Sequence, residues 1–123
     1  MTPSRRLLLV VAAGGALGAL LRWGLGEWRP ADGGLDVTTL GINVTGCFLL
    51  ALLPAWERVR GSEPLRVFLG PGVLGGYTTF SAVSEQTRAH LDAGEPITAL
   101  ATLLGTLLAC LGAAALGARL AAR

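Results

Sequence analysis

Four long apolar runs, three of them free of any charged side chain, constrain this chain more than any other feature of its sequence. Residues 7–25 carry only Arg22, and residues 37–56, 67–84 and 96–118 carry no charge at all. A helix crosses the hydrocarbon core of a bilayer with about 20 mostly apolar residues, so each run is long enough to span. With 123 residues, 52% of them hydrophobic, the chain has no length left for a soluble domain beside four such spans. The expected fold is an all-α membrane protein, one membrane domain over residues 1–123 with four transmembrane helices. The third is expected to be irregular, because residues 67–84 are unusually rich in Gly and Pro. Between the spans lie a Gly- and Pro-containing polar stretch at 27–36, a charged turn around Arg58, Arg60, Gly61, Glu63 and Pro64, and a polar loop at 85–95.

Charge narrows the partners and gives an orientation. All ten basic residues are Arg, and a net charge of +2, scattered along the chain, offers no nucleic-acid surface. Arg5, Arg6, Arg58, Arg60, Arg66, Arg119 and Arg123 fall on the side of both termini, against Arg22, Arg29 and Arg88 on the other. Cytoplasmic loops carry the excess of positive charge, so both termini are expected in the cytoplasm of a multi-pass protein of the cell membrane. Ser4-Arg5-Arg6 before Leu7-Leu8-Leu9 is similar to a twin-arginine export signal, yet such a signal needs a soluble passenger and three more apolar spans follow. Cys47 and Cys110 lie in apolar stretches without CxxC spacing or a neighbouring His and read as packing residues. His90, among Arg88, Asp92 and Glu95, reads as solvated.

Polar side chains inside the spans carry the functional information. Asn43 sits in the middle of a span, where an unpaired amide is costly, and Thr39 and Gly46 share its face. That face looks at protein or water, through an interhelical hydrogen bond or a pore or substrate contact. Thr98, Thr102 and Thr106 recur every four residues as one polar stripe, open to packing or to a pathway. Glycines recur in every span and let helices approach closely. In the third span Gly75-Gly76 followed by Thr78-Thr79 predicts a break over 75–80. Broken helices survive in a membrane only where the freed backbone groups are buried in protein, bind an ion or line a cavity. Carbonyls freed there could coordinate a cation. Phe80, next to the break, is either an ordinary apolar contact or a ring edge, of positive potential, that meets an anion.

Three segments in order resemble the Fluc (CrcB) family of small fluoride channels. Gly14-Gly15-Ala16-Leu17-Gly18-Ala19-Leu20-Leu21-Arg22-Trp23 is similar to the family's GGxxGAxxR pattern with its following aromatic residue. Thr39-Leu40-Gly41-Ile42-Asn43-Val44-Thr45-Gly46-Cys47-Phe48 is similar to TLxxNxxGxF, and Gly75-Gly76-Tyr77-Thr78-Thr79-Phe80-Ser81 to GGxTTFS. The resemblance implies an antiparallel, dual-topology dimer with two fluoride pathways along the interface, exporting cytoplasmic fluoride passively. It implies a structural sodium ion held at the two-fold axis by the carbonyls of Gly75 and Thr78 from each subunit. Asn43, Phe80 and Ser81 would line the path, a hydroxyl of the fourth span, Thr102 or Thr106, would continue it with Thr39, and Arg22 would face a vestibule. Fluoride is small and tightly hydrated, so such a pore must replace its water with amide and hydroxyl donors and ring edges in a narrow bore.

The chain departs from that pattern in one stretch. Val83 stands where the family commonly has a second Phe, Ala82 where a Thr is usual, and Glu85 precedes Gln86 where an acidic residue often follows. One stacked ring per subunit is then missing, and one pathway is expected to be weakened. Seven Arg against three also suggests a fixed orientation, hence pairing with an oppositely oriented homologue, in which this chain would be a conducting or non-conducting partner subunit. A proton-coupled small multidrug transporter needs a carboxylate within the membrane, and every Asp and Glu here is expected in a loop or at a span end. For an enzyme the sequence offers no activated nucleophile, metal cluster or phosphate loop.

Overall fold

A computed structural model describes residues 4–27 and 36–123; Arg29 and most of the stretch 27–36 lie outside the described residues. The described residues are helical, with no strand among them. Helix α1 (Arg5–Gly26) starts at Ser4, whose hydroxyl accepts from the Leu7 N–H at 3.3 Å. This N-cap satisfies a backbone donor that the first turn leaves free. Helix α2 (Val37–Leu52) starts in the same way at Asp36 and runs on as a 3₁₀ turn through Leu53–Ala55. Short helices α3 (Glu57–Arg60) and α4 (Glu63–Val67) follow. After a wide π-helical turn, Phe68–Leu74, come α5 (Gly75–Tyr77), α6 (Phe80–Asp92) and α7 (Pro96–Ala121).

Three helical stretches are long and apolar enough to cross a membrane: Arg5–Gly26, Val37–Ala55 and Pro96–Ala121. At about 1.5 Å per residue the shortest reaches about 28 Å, close to the thickness of the hydrocarbon core. Their outward faces carry Leu9, Leu20, Ile97 and Leu108, all well exposed, Ile97 to 84%. In water each such side chain would forgo about 1.5–3 kcal/mol of burial, whereas lipid solvates it. Length and exposed apolar faces together make this a membrane protein.

Packing follows the small residues. Helix α1 lies against the segment Phe68–Tyr77, and α7 lies against both α2 and α6. Where α1 crosses, a methyl on Gly18 would strike the Val73 carbonyl, and one on Gly76 the backbone of Gly15. On the other side of the molecule Gly117 of α7 approaches the Phe48 carbonyl of α2 so closely that a methyl there would meet it at 2.5 Å. Backbone-to-backbone packing of this kind supplies dispersion contact where lipid removes any hydrophobic drive between helices.

Residues 67–84 do not form one helix. Pro71 lacks an N–H, and its ring would clash with the carbonyl of residue 67 in a regular α-helix; the backbone widens into the π turn around it. Helical dihedrals then persist through Gly75 and Gly76 and stop only at Thr78 (φ −75°, ψ 155°) and Thr79 (φ −148°, ψ 120°). The glycines lie N-terminal to the interruption, and Gly76 serves close approach to α1.

The polar loop expected at 85–95 is mostly helix. Helix α6 continues to Asp92, because Arg88 is placed one turn from both Glu85 and Asp92 and pairs with each. Arg88 beside Glu85 holds that carboxyl below the usual carboxylate range. Glu85 and Asp92 are thus helical residues rather than loop residues. Gly94, at φ 75°, takes the left-handed conformation that ends the helix. His90 is not simply solvated either: its side chain is 14% exposed and its Nδ1 lies 3.0 Å from Glu95 Oε2.

Candidate functional site

The interruption at Thr78–Thr79 is held open by one side chain. Asn43, 6% exposed on α2, donates from Nδ2 to the Thr79 carbonyl at 2.9 Å and accepts at Oδ1 from the Thr79 N–H at 2.8 Å. A primary amide presents a donor and an acceptor side by side, as a neighbouring strand would, so it satisfies an extended residue from both directions. In a low-dielectric setting each of those backbone groups, left unpaired, would cost several kcal/mol. The break is therefore tied to α2. Thr78 is anchored from the other end, its N–H and hydroxyl both donating to the Leu74 carbonyl at 3.0 Å, while its methyl fills the space left by Gly46.

Helix α6 restarts immediately. Thr79 is its N-cap, with Oγ1 accepting from the Ala82 N–H at 3.2 Å and lying 3.1 Å from Ser81 Oγ. Phe80 is the first helical residue and is 75% exposed; Ser81 beside it is also exposed.

Two cavities meet at Thr79. The first, about 270 Å³, is lined by Asn43, Thr78, Thr79, Phe80, Val83 and Thr106, together with Cys47, Leu103, Leu107 and Cys110. The second, about 330 Å³ and more polar, is lined by Arg22, Trp23, Thr38, Thr39, Ile42, Thr79 and Ala82, among others. Arg22 donates from Nε to the Gly76 carbonyl at 3.2 Å, which steadies its charge in this second cavity. Thr39 is buried there, its hydroxyl donating to Asp36 Oδ2 at 2.7 Å and its N–H to Asp36 Oδ1 at 3.0 Å. Gln86 Nε2 donates to the same Oδ2 at 2.8 Å, tying α6 to the start of α2.

Of the residues singled out in the sequence, Asn43, Thr78, Phe80 and Thr106 share the first cavity, and Arg22 and Thr39 the second. Ser81 lines neither cavity; it is exposed, with its hydroxyl beside that of Thr79. Thr102 lines neither; it is buried with its hydroxyl returned to the Thr98 carbonyl at 2.9 Å. Val83, 3% exposed, is a floor residue of the first cavity. Thr79, Asp36 and Gln86 were not singled out as site residues. A signal existed only for Asp36, three residues before Thr39 at the start of an apolar run, which is N-cap spacing.

A cation at the break would find neutral oxygens. The Thr79 N–H, which in a continuous helix would donate to the Gly75 carbonyl, donates to Asn43 instead. Thr78 being extended turns its own carbonyl off the helix direction. No group of three or more His, Cys, Asp or Glu side chains is gathered among the described residues. Carbonyl oxygens without carboxylates fit a monovalent hard cation better than a transition metal.

The sequence matches the family described as CrcB-like protein, Camphor Resistance (CrcB), over residues 9–118. It is 47% identical over 116 residues to the fluoride-specific ion channel FluC of Thermus thermophilus, covering 91% of each chain. It is 42% identical over 117 residues to fluoride-specific ion channel FluC 2 of Nocardia farcinica, covering 90% of this chain and 81% of that one. Identity to the FluC of Oceanobacillus iheyensis is 36% over 118 residues, covering 94% of this chain and 92% of that one. The match takes in most of α1, the Asn43 helix, the break and most of α7, so that every residue lining the two cavities falls within it, and the chain belongs to the CrcB family.

Proposed function

We propose that this protein is a fluoride-specific channel of the cell membrane that lets cytoplasmic fluoride leave passively. The observation that carries the reading is the pair of cavities on either side of Thr79, which lines both, one headed by the Arg22 guanidinium and the other by the Asn43 amide and the Phe80 ring. Arg22 draws anions into the polar cavity. Asn43 gives one N–H to Thr79 and has a second for a dehydrated anion, and the hydroxyls of Ser81 and Thr106 and the edge of Phe80 continue the replacement of water. Fluoride, for which the relatives are named, fits a path that offers hydrogen-bond donors.

One chain does not complete this path. The first cavity is open on one side, and the polar groups of Asn43 and Thr106, set in a mostly apolar lining, would there meet acyl chains that offer them no partner. A second, oppositely oriented copy would cover it and Phe80, with the segment 67–84 as the fourth crossing. Two such chains would also bring four carbonyls, those of Gly75 and Thr78 from each, to a structural sodium ion, which two carbonyls from one chain cannot hold. Both termini lie in the cytoplasm in this reading. The seven-to-three Arg asymmetry favours a second copy that is a separate homologue of fixed opposite orientation, with the pathway past Val83 weakened.

Proteoliposomes loaded with equal fluoride and chloride test the reading. Fluoride should leave and chloride stay, and Asn43→Asp and Phe80→Ile should each slow fluoride by about tenfold or more, the equivalent of about 1.4 kcal/mol. A multidrug-transporter mechanism has no carboxylate within a crossing to use, since α1, α2, residues 67–84 and α7 contain no Asp or Glu.

A further inference from the structure

Cys47 and Cys110 are the only cysteines in the chain, and the fold brings them together. Cys47 stands one helical turn after Asn43 on α2, and Cys110 one turn after Thr106 on α7, so both line the first cavity. The two thiols border this one cavity across the contact between α2 and α7. Both side chains are half-buried and neither is in a disulfide. The helices that carry them cannot drift apart easily, because Gly117 seats the α7 backbone on the Phe48 carbonyl of α2. Nothing in the proposed pathway uses either sulfur.

A pair of thiols with no third His, Cys, Asp or Glu gathered beside it among the described residues cannot make the four-coordinate site that zinc prefers. Two sulfurs bordering one cavity suit a soft d¹⁰ ion that accepts two-coordinate, linear ligation. Charge selects among such ions. A monovalent ion held by two thiolates leaves a net negative complex, costly at membrane depth, whereas a divalent ion gives a neutral one.

We propose that Cys47 and Cys110 form a two-thiolate site for a soft divalent d¹⁰ metal ion, Hg(II) being the ion this donor set fits, and that its occupation obstructs the cavity beside Asn43 and Thr106. Binding replaces two S–H bonds with two S–Hg bonds and releases two protons to solvent, with no change of oxidation state, so it tightens as pH rises. The ion and its two sulfurs occupy part of a cavity of about 270 Å³ that borders the amide on which the proposed conduction depends. The block, though not the binding, rests on the fluoride-channel reading.

The experiment has two arms on the full-length chain. In detergent, titration with mercuric chloride should take up one ion per chain and remove both thiols from reaction with a colorimetric disulfide reagent. Cys47→Ala and Cys110→Ala should each weaken binding by about 100-fold, since the second sulfur acts intramolecularly. Two ions per chain, or unchanged affinity in either variant, overturns the site. In proteoliposomes, each protein's metal-free fluoride release is its own reference; mercuric ion should stop release by the parent chain, excess small thiol should restore it, and both variants should resist. Undiminished release with the ion bound overturns the obstruction. Absence of metal-free fluoride release from this chain both alone and paired with an oppositely oriented homologue counts against the channel reading alone, because the detergent arm stands without it.

Discussion

Asn43 is where sequence, structure and proposed function coincide most closely. An amide at mid-span announces itself as something that must be paired, and the sequence shows that much. Its partner is not legible, because Thr79 is 36 residues away and the pairing is to backbone, which has no side-chain signature. Asn43→Ala should destabilise the chain by about 1–3 kcal/mol for each Thr79 group left unpaired, read as a lower unfolding temperature in detergent. Phe80→Ile should do the opposite of this: fluoride release falls by about tenfold while the unfolding temperature of the chain hardly moves, because Phe80 is 75% exposed and packs on little within the chain. Thr102 and Thr106 looked equivalent in the sequence. Only Thr106 reaches the cavity, and Thr102→Val is expected to leave fluoride release near the parent rate, since its hydroxyl serves the Thr98 carbonyl.

At the scale of elements, apolar run length gave α1, α2 and α7 almost to their ends, because a membrane span is set by thickness and by little else. The segment between them was less legible. Poor helix propensity over Gly75-Gly76 and Thr78-Thr79 pointed to an interruption within 75–80 but not to its residues: the glycines stay helical, Gly76 packed against α1, and the interruption falls at Thr78 and Thr79, where Asn43 offers the backbone a better partner. Glycines that read alike also differ in use. A methyl on Gly76 would collide with the Gly15 backbone, whereas one on Gly15 meets nothing within 4 Å. Gly76→Ala is therefore expected to cost about 1–3 kcal/mol through overpacking, and Gly15→Ala to be neutral or slightly stabilising, compared by thermal unfolding side by side. The helical extension of α6 to Asp92 was hidden by its polarity. Its charges follow helical spacing, and that spacing was the better guide.

For the whole molecule, the chain's exposed apolar faces, the open cavity and the two carbonyls at the break all ask for something outside the single chain. Lipid answers the first. In the proposed function the other two are met by an oppositely oriented second copy and a sodium ion between the breaks, and the seven-to-three Arg distribution favours a homologue of fixed opposite orientation as that copy. The donors on either side of Thr79, the Arg22 guanidinium in one cavity and the Asn43 amide in the other, carry the central claim that the passing ion is fluoride. Measuring fluoride and chloride release from the same liposomes, containing this chain alone or with such a homologue, tests that claim most directly. Fluoride released with chloride retained is the predicted result; equal release of both anions, or no fluoride release in either preparation, would contradict it.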